Sequence, residues 1–238
     1  MSTLLELGGF ALEVVRKDIK NVHLSVHPPS GRVRIAAPER MGLEVIRLYV
    51  ITKLDWIRQQ QGKLNEQERE GPREYLDRES HYVGGRRRLL KVVEVDGVPS
   101  VQVKHRTLHL TVRPGASEAT KAAVLAGWYR DTLRTSAQPI IESWEHRLAV
   151  QVRALYVQQM KTKWGSCNPK HRTIRLNTEL AKKPRECLEY IVVHEMLHLL
   201  ESPHTPRFFE LMNWNLPGWQ ETRALLNRLP AGHQRWRA

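Results

Sequence analysis

His194-Glu195-Met196-Leu197-His198, followed by Leu199-Leu200-Glu201-Ser202-Pro203-His204, is the stretch on which the reading of this chain turns. On a helix His194 and His198 stand at i and i+4, so their rings leave the same face one turn apart. Two imidazoles so placed can chelate a single Zn²⁺, and Glu195 lies beside them, where it can hold and deprotonate a water. The bland alternative is an amphipathic helix that happens to carry two histidines, and the surroundings decide against it. Cys187, Leu188, Ile191, Val192, Leu197, Leu199 and Leu200 make the preceding and following turns apolar on nearly every side, with Pro184 suited to the first turn. Such a helix is buried, and two histidines and a glutamate inside it need partners.

The end of the pattern supplies a third ligand. Were the helix to run on, position 204 would sit about 240° around the axis from His198, facing away. Ser202-Pro203 biases the chain out of helix and lets His204 swing back. Thr205-Pro206 then reads as a new N-cap and first helical residue, leading into Phe208, Phe209, Leu211 and Met212. Glu210, on that next helix, is the rival third ligand, though His204 has the tighter spacing. Three protein ligands leave a tetrahedral zinc one open position, the mark of a catalytic site. A closed structural site would usually need cysteines, and Cys167 and Cys187 are too far apart for a knuckle.

Before the helix, Val157 to Lys163 and Thr173 to Asn177 read as two strands joined by a turn at Asn168-Pro169. A hairpin beside the histidines offers an edge that an extended peptide can join by backbone hydrogen bonds. Trp164 would wall the pocket, with Lys163 or a backbone N–H steadying an oxyanion; equally, Trp164 and Gly165 could be a buried ring and a close-packing glycine. Cys167 has no paired base that would make it a nucleophile.

From about residue 150 to 219 the chain resembles the YgjP-like metallopeptidase family, which is related to the SprT and WLM zinc proteases. The likeness rests on Lys161-Thr162-Lys163-Trp164-Gly165-Ser166-Cys167, Ile174-Arg175-Leu176-Asn177, Glu189-Tyr190-Ile191-Val192-Val193-His194-Glu195, and His204 with Phe208. It implies His194, His198 and His204 as zinc ligands, one Zn²⁺ per chain, and Glu195 as catalytic base. Lys163, Trp164 and Arg175 become candidate substrate contacts. Pro203 stands where relatives usually carry asparagine, Lys163 where arginine is common, and Phe209 where tryptophan is common. The likeness extends more loosely before residue 150.

The chain has 238 residues, two cysteines, a net charge of +13 and a pI near 10.1. The cysteine count argues against a disulfide scaffold and suits a reducing cytosol. Residues 4 to 15 mix leucine with Glu6, Gly8, Gly9 and Glu13, unlike a signal peptide, and no run of 18 apolar residues exists. A cytoplasmic protein without membrane association is the expectation; the sequence sets no oligomeric state. The charge predicts attraction to polyanions. Arg86-Arg87-Arg88 is the densest basic run. Lys161, Lys163, Lys170, Arg172 and Arg175 cluster on the hairpin, and the tail His233-Gln234-Arg235-Trp236-Arg237 mixes base with aromatic. With no reading motif present, any nucleic-acid binding should be sequence-independent and weakened by salt. The kinship with SprT-like proteases, some of which act on DNA-bound proteins, adds weight.

The fold expected is α+β. Residues 1–115 form a β-rich module, with strands at Ala11–Arg16, Val22–His27 and Arg32–Ala36, a turn at Pro28-Pro29-Ser30-Gly31, a helix over 43–60, and strands at 86–95, 100–104 and 107–112. A polar stretch, 65–79, reads as linker. Residues 116–238 form a zincin-like metallopeptidase domain: a helical region from Ser117 to Leu148, broken or kinked at Pro139, then the hairpin and the HExxH helix. No internal repeat is visible. The leading function is peptide-bond hydrolysis with zinc and Glu195, on protein or peptide substrates, including DNA-associated ones. The alternatives are a metal-dependent nucleoside triphosphate pyrophosphatase and a non-enzymatic basic nucleic-acid-binding module with a structural zinc.

Overall fold

The computed structural model describes residues 2–7, 9–27, 31–66, 73–160 and 163–229. The expected turn at Pro28-Pro29-Ser30, Lys161, Thr162 and the basic tail lie outside them. The described residues are α+β, with six α-helices and three sheets of mixed polarity. None of these helices is long and apolar enough to cross a membrane. By contact the chain divides into two compact units, Met1–Glu68 and Arg69–His233.

The first unit is a four-stranded sheet with two helices. Strands β1 (Ser2–Leu7), β2 (Phe10–Lys17), β3 (His23–His27) and β4 (Arg32–Pro38) lie in the order β1-β2-β4-β3. β1 and β2 form an antiparallel hairpin, β2 and β4 are parallel, and β3 and β4 are antiparallel. Alternation puts Val33, Ile35 and Ala37 of β4 on the buried face beside Leu12 and Val14 of β2. Helices α1 (Leu43–Ile51) and α2 (Leu54–Glu66) close that core with Ile46, Val50 and Ile57. The single helix expected over 43–60 is therefore two.

The second unit opens with the same sheet. Strands β5 (Ser80–Val83), β6 (Arg86–Glu94), β7 (Ser100–Lys104) and β8 (Thr107–Val112) take the order β5-β6-β8-β7, with the same succession of antiparallel, parallel and antiparallel pairs. The matching inward positions of β8 are Leu108, Leu110 and Val112. The first hairpin of each sheet also turns through glycine, at Gly9 and at Gly84-Gly85. Gly9, Gly84 and Gly85 all have positive φ, at +83°, +56° and +77°, the conformation a tight hairpin turn demands. A repeat not visible in the sequence is thus present in the topology. The residues differ because a sheet face needs only alternating apolar side chains, not particular ones.

After β8 the two units part. Ser117, whose Oγ accepts the Thr120 N–H, starts the long helix α3 (Glu118–Leu148), which Ala149 ends in a left-handed conformation. α3 continues through Pro139, where a break or kink was expected. Ala137, Ile140, Ile141 and Trp144 are buried around the proline, and that packing outweighs the lost backbone hydrogen bond. One core joins the inner face of the sheet, α3 and the later helices. This is why the compact units divide near 68 and the boundary expected at 115/116 falls inside the second: residues 80–112 pack with the helices that follow them.

A three-stranded sheet then sets up the site. β10 (Gly165–Asn168) and β11 (Thr173–Asn177) are an antiparallel hairpin, and β9 (Ala154–Gln158) runs parallel to β11 on its other side, giving the order β10-β11-β9. The strand expected at 157–163 is therefore not the partner in the hairpin; the Gly165-Ser166-Cys167 segment is. A 3₁₀ turn (Thr178–Lys182) leads into α4 (Arg185–Leu197), followed by α5 (Pro206–Asn215) and α6 (Trp219–Arg228).

Candidate metal centre and active site

α4 is buried on almost all sides, with Cys187, Leu188, Val192, Val193, Met196 and Leu197 at most a few per cent exposed. Its first turn is seated by the Gly84-Gly85 turn of the second sheet. Gly84 and Gly85 N–H groups donate to the carbonyls of Ala181 and Lys182, both at 2.9 Å. A Cβ on Gly85 would lie 2.7 Å from the Pro184 ring, so only glycine lets this turn close on the helix start.

At the other end of α4 stand His194 and Glu195, with His198 at the C-cap. The chain leaves the helix and returns at Thr205, whose hydroxyl accepts the Phe208 N–H and caps α5 with Pro206 as its first residue. The intervening turn places His204 against the other two histidines: Nε2 of His204 is 3.0 Å from Nε2 of His194. One nitrogen from each of His194, His198 and His204 falls within 4.8 Å of the others, and no other such group of three His, Cys, Asp or Glu exists among the described residues. Glu210, the rival ligand, is exposed and outside this cluster. Phe208, fully buried, lies beneath all three rings, its centroid 5.0, 4.7 and 4.8 Å from those of His194, His198 and His204.

These residues fit a metal ion. The ring nitrogens of two zinc-bound imidazoles, each about 2.0–2.1 Å from a tetrahedral ion, lie roughly 3.3 Å apart, close to the His194–His204 spacing. His198 Nδ1 donates to the Glu201 carbonyl at 3.2 Å, which leaves its Nε2 lone pair free to face the cluster. Burial, then the neighbouring His198 and His204, push the pKa of His194 down to about 4. His204 is also lowered, first by burial and then by His198. Neutral imidazole is the form that binds a metal.

Glu195 is buried, and burial raises its carboxyl to about 7, with the Lys163 charge and a hydrogen bond from the Cys167 backbone N–H pulling the other way. A cation among the histidines would pull it down further. The carboxylate lies directly on Gly165: a Cβ there would be 2.7 Å from Glu195 Oε1 and 2.8 Å from Cγ. The glycine is thus what lets strand β10 approach the acid, the close packing expected of Gly165 from sequence. Trp164 is half-buried rather than part of the core, and with Lys163 it lines a cleft of about 390 Å³ shared by Ser166, Tyr190, Glu195 and the three histidines. Cys167 lines it too, its thiol pushed up to about 11 by burial and then by Glu195, far from a reactive thiolate.

Other candidates are not brought to the cleft. Arg175 is exposed on β11, its guanidinium 5.7 Å over the Tyr156 ring. Arg86, Arg87 and Arg88 open β6; Arg87 Nε donates to Ser80 Oγ, and Arg88 is half-buried. Two participants were not singled out from sequence. Asn177, buried, donates to the carbonyls of Met160 and Lys163 at 2.9 and 2.8 Å, and its backbone N–H bonds the Trp164 carbonyl at 2.8 Å. It fixes the chain that carries Lys163 and Trp164, and only its place next to the strand end hinted at this. Arg223 of α6 bears on His194, His204 and Tyr190 through its charge; nothing local in the sequence marks it.

Three converging imidazoles, a buried carboxyl beside them and an open cleft are what a metal-dependent hydrolase requires. The chain belongs to the YgjP-like family, metallopeptidase domain, whose family model matches residues 20–229. Two solved structures resemble part of it. The metallopeptidase zymogen abylysin of Pyrococcus abyssi is 22% identical, with 40% of this chain and 99% of that one covered and a TM-score of 0.35. The zymogen jannalysin of Methanocaldococcus jannaschii is 21% identical, covering 40% and 92%, with a TM-score of 0.33. Comparison with curated proteins gave no match.

Proposed function

We propose that the chain is a zinc-dependent peptidase in which His194, His198 and His204 hold the metal and Glu195 is the general base. The convergence of one nitrogen from each histidine within 4.8 Å, beside the Glu195 carboxylate, carries this reading. Zinc is the default metal for three imidazoles, and when bound it supplies a Lewis acid that polarises a carbonyl and makes water more acidic. Glu195 takes the proton of the attacking water on a carboxylate oxygen and passes it to the departing amine. The Cys167 N–H and the bare Gly165 backbone hold that carboxylate against β10. The free edge of β10 offers backbone groups to an extended substrate chain, with Trp164 as a wall and Lys163 as the charge nearest a developing oxyanion.

The net charge of +13 supports a weak, salt-sensitive attraction to nucleic acid and, with it, action on proteins bound there. The test is turnover of an unfolded protein by the zinc-loaded chain, wild type against Glu195→Gln, with and without DNA and with metal content measured on both. Equal metal content with turnover lost only in the variant is the expected result. Glu195-dependent cleavage of nucleoside triphosphates with no proteolysis would sink the peptidase reading and leave the metal site standing.

A further inference from the structure

Apart from the cleft over the histidines, the second unit holds a separate cavity of about 470 Å³ between α3, β9, the 3₁₀ turn and the segment from Arg73 to His81. β9 and β10 lie on opposite edges of the three-stranded sheet, about 10 Å apart in the hydrogen-bonding direction, so this cavity is not part of the metal cleft.

Its wall is built rather than incidental. The carboxylate of Glu79 gathers the backbone N–H groups of Glu74 and Tyr75 at 2.9 and 2.7 Å, the Arg73 guanidinium at 3.3 Å and the buried His81 ring at 2.8 Å. The Arg73 guanidinium also donates to the Ser80 carbonyl. The same short segment holds two residues in the left-handed region, Tyr75 at φ +56° and Arg78 at φ +68°. A plain connecting loop would avoid both, and such strain gathers at binding sites. Its effect is to present Tyr75 and Arg73 to the cavity.

Opposite them, Lys182 sits between Glu179 at 2.9 Å and the face of Tyr129 at 5.6 Å. Arg130 stands at the mouth, and no described residue pairs with it. Of the three cations on the lining, Arg73 is paired with Glu79 and Lys182 with Glu179, which leaves Arg130 as the positive charge in excess. Leu125, Val157 and the two tyrosine rings give it an apolar floor, and the side-chain amides of Gln158 and Gln159 offer both donors and acceptors. The unpaired charge of Arg130, the aromatic walls and the amide groups together suit a peptide segment with a carboxylate and an aromatic side chain.

We propose that this cavity is a second binding site, for an acidic peptide segment, and that it holds part of the substrate away from the scissile bond. The second clause rests on the peptidase reading; binding itself does not. Arg130 and Ala126, one turn apart on the exposed side of α3, allow a test that leaves the core alone. The probe is acetyl-Glu-Phe-Glu-amide, titrated calorimetrically into the full chain carrying Glu195→Gln, alone and with Arg130→Glu or Ala126→Trp. The lysine counterpart acetyl-Lys-Phe-Lys-amide is the control, and thermal melts check folding. We expect the acidic peptide alone to bind, Arg130→Glu to weaken it roughly tenfold or more, and Ala126→Trp to fill the cavity and remove binding.

In the active chain the same two changes should raise KM for an acidic protein substrate and leave cleavage of a short neutral peptide unchanged. No binding, equal binding of the basic peptide, or indifference to both substitutions would overturn the site. Displacement of the peptide by a short oligothymidylate of higher affinity would overturn its assignment to peptides. Cavity binding that responds to both variants in a chain with no Glu195-dependent proteolysis would uphold the site while removing the peptidase.

Discussion

The sheet that opens the chain and the sheet that begins at Ser80 share strand order, polarity and a hairpin that turns through glycine, yet among the described residues only the second has a candidate catalytic centre in its unit. In the first, β4 leads to two short helices and the unit ends with its core closed by Ile46, Val50 and Ile57. In the second, β8 leads to a 31-residue helix whose far side becomes the bed for α4. The two glycine turns differ in the same way. Gly9 faces open space, whereas Gly85 is in contact with the start of α4. One sheet topology can thus be a self-contained unit or a platform, depending on what the next helix is long and apolar enough to carry.

The largest expected effect would place all of the chemistry in the second unit. Glu195→Gln should lower kcat by about 10²–10⁴-fold, the range of a lost general base, with bound metal unchanged by elemental analysis. Turnover surviving that change would mean that another part of the chain does the work. Gly165→Ala comes next: its methyl would collide with Glu195 Oε1 at 2.7 Å. Displacing a catalytic group on this scale costs about 10²-fold, again with metal retained, and kinetics with metal analysis separates the two.

Matched core deletions sharpen the contrast. Leu12 and Leu90, at most 2% exposed, occupy corresponding second strands. Either change to alanine should cost about 2–5 kcal/mol in the unit that holds it. Only Leu90→Ala should reduce metal affinity along with stability, measured by denaturant unfolding and metal titration; equal loss of metal in both would break the comparison.

The turns give a smaller pair. Gly9→Ala should cost about 1–2 kcal/mol for the left-handed backbone alone. Gly85→Ala should cost more, because the methyl also meets Pro184 at 2.7 Å, and calorimetric melting can rank them. Smallest is a chemical effect. Burial raises both Cys167 and Cys187 to about 11, so at pH 8 only about one thiol in a thousand is ionised. Alkylation of the folded chain should be slow at pH 8 and rise steeply toward pH 11; fast labelling of Cys167 at pH 8 would show that the cleft does not bury it.

Much of this was legible in the residues because the signals are local. The i, i+4 histidines, the Ser202-Pro203 stop and the Thr205-Pro206 cap are interactions within a few residues of chain, and the structure places each where its local chemistry points. The alternating strands of both sheets were legible for the same reason, except β1 and β5, which open their sheets. The Val157–Lys163 strand was misjudged because a run of suitable residues cannot say which neighbour it will pair with. A break at Pro139 does not occur, because the packing that carries α3 past it comes from distant parts of the chain.

What the sequence determined by itself was the histidine cluster, the helix that bears most of it, the α+β composition and the family. Those follow from periodicity, capping and residue chemistry, all short-range along the chain. The tertiary structure decided that Gly165 must be bare to admit Glu195, that Asn177 holds Lys163 and Trp164 in place, and that the charge of Arg223 bears on His194 and His204. It also decided that the sheet of residues 80–112 supports α4 and that one sheet topology is used twice. Each of these depends on which distant surfaces meet, and close packing of a three-dimensional core, rather than any local preference, selects them.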